Sequence, residues 1–101
     1  MAGVSHMNEL EKNRQIINEA DQELTRLFIR RFQAVKGIVR YKMENGLPVL
    51  DSSREASLIA ARRRELPEEL QPYFETWYKD LMAVSRQYQT DIIAAEGTTK
   101  S

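Results

Sequence analysis

The sequence predicts an all-α protein: three helices per chain in long–short–long order and no strands, two chains intertwining as a six-helix homodimer. Three observations predict this. Apolar residues recur at steps of three, four and seven over long segments, which is helical spacing. Helix stop and start signals divide the chain twice. The first helical segment is also too long for a chain of 101 residues to bury by itself.

That first helix is expected over residues 8–44. Leu10, Ile17, Leu24, Leu27, Phe28, Val35, Ile38 and Val39 lie along one stripe of it. At ~1.5 Å per residue, about 37 residues span ~55 Å. A compact globule of this size has a radius of gyration of ~13 Å. A partner chain must therefore cover part of the stripe. Gly37 sits inside the pattern, at a cost of ~1 kcal/mol against Ala, and implies close approach of another helix. Asn45-Gly46-Leu47-Pro48 ends the segment, Gly46 suiting a left-handed cap and Pro48 being unable to continue a helix.

A second helix is expected over 51–65. Asp51 or Ser52 can cap it, and Ser52 with Glu55 has capping-box spacing. Ala56, Leu58, Ile59, Ala60 and Ala61 precede Arg62, Arg63 and Arg64. In the last turn these arginines complement the helix dipole and read as a solvated end. Pro67 and the acids after it restart a helix, and Pro72 gives a short irregular beginning. The third main helix is expected over 73–95. Phe74, Trp77, Leu81, Val84, Tyr88 and Ile92 form its apolar stripe, with the aromatic members as core. Residues 1–7 read as an appended leader, residues 8–95 as the single domain, and residues 96–101 as a frayed tail.

Composition narrows the function classes. Fifteen basic residues balance 15 acidic ones, which argues against nucleic-acid and membrane-surface binding. No cysteine is present, so there is no disulfide frame and no thiolate metal site, which fits a cytoplasmic protein. The one histidine, His6, lies in the leader. Four scattered glycines make no phosphate-binding loop. No apolar run approaches a membrane span.

Several polar residues lie on or beside the apolar faces. Arg14, Arg31 and Lys42 interrupt or flank the first stripe. Arg31 and Lys42, 11 residues apart, fall within ~20° of each other around the helix. Asp51, Arg54 and Glu55 share one face of the second helix, and Ser85 and Gln89 one face of the third. Taken singly, Arg31 and Lys42 read as snorkelling rim residues, Asp51 and Glu55 as caps, and Ser85 and Gln89 as solvent-exposed. Taken together they form a polar pocket that is costly if empty. It suits a small dianion with a hydroxyl and an ether oxygen. Without His, Cys or an activated nucleophile, it favours catalysis by positioning and electrostatics.

From about residue 10 to 89 the chain resembles the all-helical, AroQ-type chorismate mutases. The resemblance rests on Arg14-x-x-Ile17-x-x-x-Asp21, Arg30-Arg31, Tyr41-Lys42, Gly46-Leu47-Pro48-Val49-x-Asp51-x-x-Arg54-Glu55 and Ser85-x-x-x-Gln89. The Gly46 to Glu55 segment is its most specific part. The link between the second and third helices is short, which bears on the pocket's lid more than on its chemistry.

The resemblance implies an isomerase of phenylalanine and tyrosine biosynthesis, converting chorismate to prephenate by an intramolecular Claisen rearrangement. It implies no metal, cofactor or covalent intermediate. Catalytic roles fall to Lys42, Gln89, Arg31 and Glu55. Arg31, together with Arg14 from the partner chain, grips the two carboxylates. Lys42 and Gln89 donate to the ether oxygen as the C–O bond breaks, and Glu55 accepts from the ring hydroxyl. Arg54, Asp51 and Ser85 complete the substrate site, Ser85 near a carboxylate and Asp51 near the hydroxyl.

The dimer also follows from spacing. Arg14 lies 28 residues before Lys42, ~42 Å along a straight helix, too far for one chain to bring both to one small ligand. Two other readings stand beside the mutase: an isochorismate-pyruvate lyase on the same fold, and a non-catalytic dimeric helical interaction module. The lyase family lacks the acidic residue that Glu55 supplies here. A partner enzyme of the same pathway is compatible with the mutase.

Overall fold

The computed structural model describes residues 8–100, with side chains described for residues 8–96. The expected leader, residues 1–7, and the final Ser101 lie outside the described residues. Helix α1 is Glu9–Glu44, α2 is Ser52–Arg63 and α3 is Gln71–Lys100, with a 3-10 turn at Glu68–Leu70 between the last two. Among the described residues there is no strand. The all-α expectation and its long–short–long order hold. No helix among them is long and apolar enough to cross a membrane.

The chain divides into two units, the break falling between Gln33 and Ala34. The first unit is the earlier part of α1. Asn8 starts that helix by accepting from the Glu11 N–H at 2.8 Å and donating to the Glu11 carboxylate at 3.2 Å. The first of these bonds satisfies one orphan backbone N–H at the helix start, and the second ties the two side chains together. Acids in the first turn, Glu9 and Glu11, also suit the positive end of the helix dipole. Leu10, Ile17, Leu24, Leu27 and Phe28 are each about half exposed. Phe28 stacks on Phe32 at a centroid distance of 4.2 Å.

The second unit holds the end of α1 with α2 and α3. Helix α1 stops as its sequence requires. Gly46 adopts φ +63°, a conformation in which a Cβ is strained. The Leu47 N–H reaches back to the Lys42 carbonyl at 2.9 Å, the long bond of a Schellman cap. A Cβ built on Gly37 would meet nothing within 4 Å, so the helix contact expected there is not made within the single chain.

Asp51, rather than Ser52, is the N-cap of α2, its carboxylate accepting from the Arg54 N–H at 3.1 Å. The Ser52–Glu55 capping box does not form: with Ser52 inside the helix, Glu55 is free to turn toward α3. Helix α2 packs against α3 through a half-buried side that includes Leu58, Ile59 and Ala61. At the far end of α2, Arg63 bonds Gln71 at 3.2 Å and Glu75 at 2.5 Å, and Lys79 bonds Glu75 at 2.9 Å. The basic run is therefore exposed, as expected, yet one of its members ties α2 to the start of α3.

The buried face of α3 is rotated one residue from the expected stripe. Tyr78, Met82, Ser85 and Gln89 are the buried positions, while Trp77 and Val84 are half exposed in the single chain. Hydropathy ranks Trp77 and Val84 as core. The neighbouring face turns inward instead: Ser85 and Gln89 lie on it at helical spacing from Tyr78 and Met82, and Gln89 is compensated there by the Lys42 ammonium. On α1, Val35 and Val39 are buried. Helix α3 also continues to Lys100, past the expected end near Ala95. No proline follows Pro72 to stop it, and one interior glycine costs only ~1 kcal/mol.

Glu75 gives this clasp a pH signature. Hydrogen bonds from Lys79 and then Arg63 hold its carboxyl below the ordinary value of 4.5. A carboxyl depressed by folding adds stability above its unfolded value, and that stability is lost as pH falls through the folded one. Denaturant melts at a series of pH values should show Glu75→Gln less stable than wild type near neutrality. The gap should narrow as pH falls below 4.5.

Candidate active site

Lys42 lies in the last turn of α1, where a cation complements the carbonyl end of the helix. The α1–α2 turn then folds back over it. Its ammonium donates to the Val49 carbonyl at 2.7 Å and to Gln89 Oε1 at 3.2 Å. Those bonds span seven and 47 residues of sequence, so one side chain joins α1, the turn and α3. An ammonium has three protons. Two are used here, and the third, with the Gln89 amide NH2, is left to donate to a ligand.

Gln89 and Ser85 are each only 6% exposed. That decides against their reading as solvent-facing residues: they are buried polar groups, which must be compensated. Among the described residues no side-chain nitrogen or oxygen sealed from solvent lacks a partner. Lys42 also lines an open hollow with Leu47, Pro48, Leu50, Asp51 and Ser52. The cation is thus half-buried yet reachable.

Asp51 sits on the rim of that hollow and spends one oxygen on the α2 cap, where it also accepts from Ser53 Oγ at 3.3 Å. Glu55, one turn further along α2, lines an adjoining hollow that shares Leu50 and Ser52 with the first. Both its oxygens accept from Arg86 Nη1, at 2.5 and 2.6 Å. Arg86 is absent from the residues that motif spacing selects. One residue after Ser85, it reads from sequence as a solvated cation, and only the packing of α2 on α3 pairs it with Glu55. Arg54 is exposed. Arg14, exposed, and Arg31, half-buried, belong to the unit that precedes Ala34. Within its own unit, then, the structure joins Lys42 to Gln89 and places Ser85 on the same buried face. It does not bring Glu55 into hydrogen-bond contact with that pair.

The arrangement is a fixed cation with an amide beside it and a carboxylate held one hollow away. It can stabilise negative charge as that charge develops on a small ligand. No group of three or more His, Cys, Asp or Glu side chains among the described residues could hold a metal.

The family model described as chorismate mutase type II matches residues 13–90, more than half of the chain. The chain belongs to the chorismate mutase type II family. It is also 36% identical over 62 residues to the T-protein of Haemophilus influenzae. That stretch is 61% of this chain and 16% of the T-protein, so the chain spans under a fifth of that relative's length. No solved structure matches the chain. The matched region of this type II mutase chain includes every polar residue of the resemblance, from Arg14 to Gln89.

The capping role of Asp51 can be tested by substitution. Losing an N-cap costs about 1 kcal/mol. Asp51→Ala should lower stability by that order in urea melts, and Asp51→Asn, which can still cap, should recover most of it.

Proposed function

We propose that this chain is a chorismate mutase acting as an intertwined homodimer, in which each site takes Arg14 from the partner chain. The observation that carries the reading is the Lys42 ammonium, anchored by the Val49 carbonyl and Gln89 with donors left over. Rearrangement of chorismate to prephenate breaks one C–O bond and forms one C–C bond within the same molecule. It needs no proton transfer, nucleophile or redox partner. What a protein can add is a fixed conformation of the substrate and stabilisation of charge on the departing ether oxygen.

Lys42 and the Gln89 amide are the donors for that oxygen. Because both are already held by protein bonds, they need little reorganisation as charge grows, which is where electrostatic catalysis gains most. Arg31 and the partner's Arg14 take the two substrate carboxylates. A guanidinium fork matches a carboxylate in geometry as well as charge. Glu55 accepts from the ring hydroxyl, and Arg54, Asp51 and Ser85 complete the pocket, Ser85 near a carboxylate and Asp51 toward the hydroxyl. The half-exposed Leu10, Ile17, Leu24 and Leu27 of α1, and Trp77 and Val84 of α3, are the surface that the second chain covers.

Two measurements test this. Purified wild type should consume chorismate, followed by loss of its ultraviolet absorbance with prephenate as product. Lys42→Ala should lose at least about 100-fold in kcat, the scale of removing a preorganised donor to a developing oxyanion. Absence of turnover in a folded wild-type dimer would overturn the mutase reading. The shared site is tested by subunit mixing. Arg14→Ala and Lys42→Ala chains, each nearly inactive alone, should regain activity when exchanged, because one of the two sites in a heterodimer is then intact. No recovery after verified exchange would exclude a site built from two chains.

A further inference from the structure

Glu55 owes its position to a residue that no sequence motif selects. Arg86 approaches it across the α2–α3 interface, one guanidinium nitrogen bonding both carboxylate oxygens at 2.5 and 2.6 Å. The pair is sheltered, with side-chain exposures of 33% for Arg86 and 24% for Glu55. Lys79 lines the same hollow, but its ammonium is bonded to Glu75 at 2.9 Å. Arg86 is thus the cation that fixes Glu55.

A carboxylate oxygen has two lone-pair sites, and Arg86 takes one on each. The remaining site on each oxygen is left to accept from a ligand. A glutamate has several rotatable bonds, so an unheld carboxylate would lose rotamer entropy on binding a hydroxyl. The charge-assisted contact removes much of that freedom in advance. Register links this device to the charge-stabilising pair. Arg86 and Gln89 are three apart on α3 and lie on neighbouring positions of one face. A single turn of α3 therefore supports Lys42 through Gln89 and Glu55 through Arg86.

We propose that Arg86 is a positioning residue for the reaction: by orienting the Glu55 carboxylate toward the substrate's ring hydroxyl, it sets the preference for substrates that carry that hydroxyl. This rests on the chorismate mutase reading above. The bond to the hydroxyl exists before and during the rearrangement, so its loss should raise KM more than it lowers kcat.

The test compares kcat and KM for chorismate and for its analogue lacking the ring hydroxyl. It uses wild type, Arg86→Ala, Arg86→Lys, Glu55→Gln and the Glu55→Gln/Arg86→Ala double variant. Arg86→Ala should lose about ten-fold of the wild-type preference for chorismate over the analogue, the scale of one charge-assisted hydrogen bond. Arg86→Lys should recover part of it. In the Glu55→Gln background, Arg86→Ala should cost less than about two-fold more, because both act through one carboxylate. If Arg86→Ala does not fold, Arg86→Lys alone and combined with Glu55→Gln carries the same comparison. A merely structural arginine would lower Tm and leave the preference unchanged, and that result overturns the proposal. So does a double variant in which the two losses multiply. A wild type that does not turn over chorismate overturns the mutase reading and this proposal with it, whereas turnover with unaltered preference in Arg86→Ala overturns this proposal alone.

Discussion

The Lys42 ammonium is the interaction on which the second unit's polar architecture depends. It sits where α1 ends, and the chain that leaves the helix must return to it. Gly46 makes that possible by taking φ +63°, so that the turn reverses and presents the Val49 carbonyl 2.7 Å from Nζ. From the other side Gln89 meets the same ammonium at 3.2 Å. A cation partly withdrawn from water needs such acceptors. The acceptors chosen here leave it with a proton to donate. Structural satisfaction and chemical availability are therefore met by one group.

Helix α3 accommodates this by burying polar atoms. The face it turns inward contains Ser85 and Gln89 together with Tyr78 and Met82, while Trp77 and Val84 stay half exposed in the single chain. An apolar helix seam would have chosen the opposite. The cost of burying an amide is offset only where a partner of the right charge stands opposite, and Lys42 is that partner for Gln89. The apolar residues left outside are what a second copy of the chain can cover in the proposed dimer.

The acidic residues at the start of α2 take different partners. Asp51 caps the helix, which frees Glu55 from capping and lets it reach Arg86. Had Ser52 capped α2, Glu55 would occupy the position of a capping-box partner, with its carboxylate drawn to the backbone. At the opposite end of the helix, Arg63 and Glu75 close the short link to α3. Helix α2 is thus pinned to α3 by ion pairs at both ends, with small and aliphatic residues between them.

Sequence by itself determined the three helices, their order and the turn at Gly46, because helical periodicity, caps and breakers act over a few residues. It also marked the set of Arg31 with Lys42, Asp51 with Arg54 and Glu55, and Ser85 with Gln89, since these residue types stand at spacings that share helix faces. Three things were decided only by tertiary structure. Which face of α3 is buried follows from what lies opposite it, and the hydropathy of Trp77 and Val84 pointed elsewhere. The choice between Asp51 and Ser52 as cap depends on the backbone at the turn, where both side chains are competent. The pairing of Glu55 with Arg86, 31 residues apart, has no local signature, because an arginine on a helix reads the same in water as beside a carboxylate. Long-range electrostatic pairs are set by packing, and packing is a property of the folded chain.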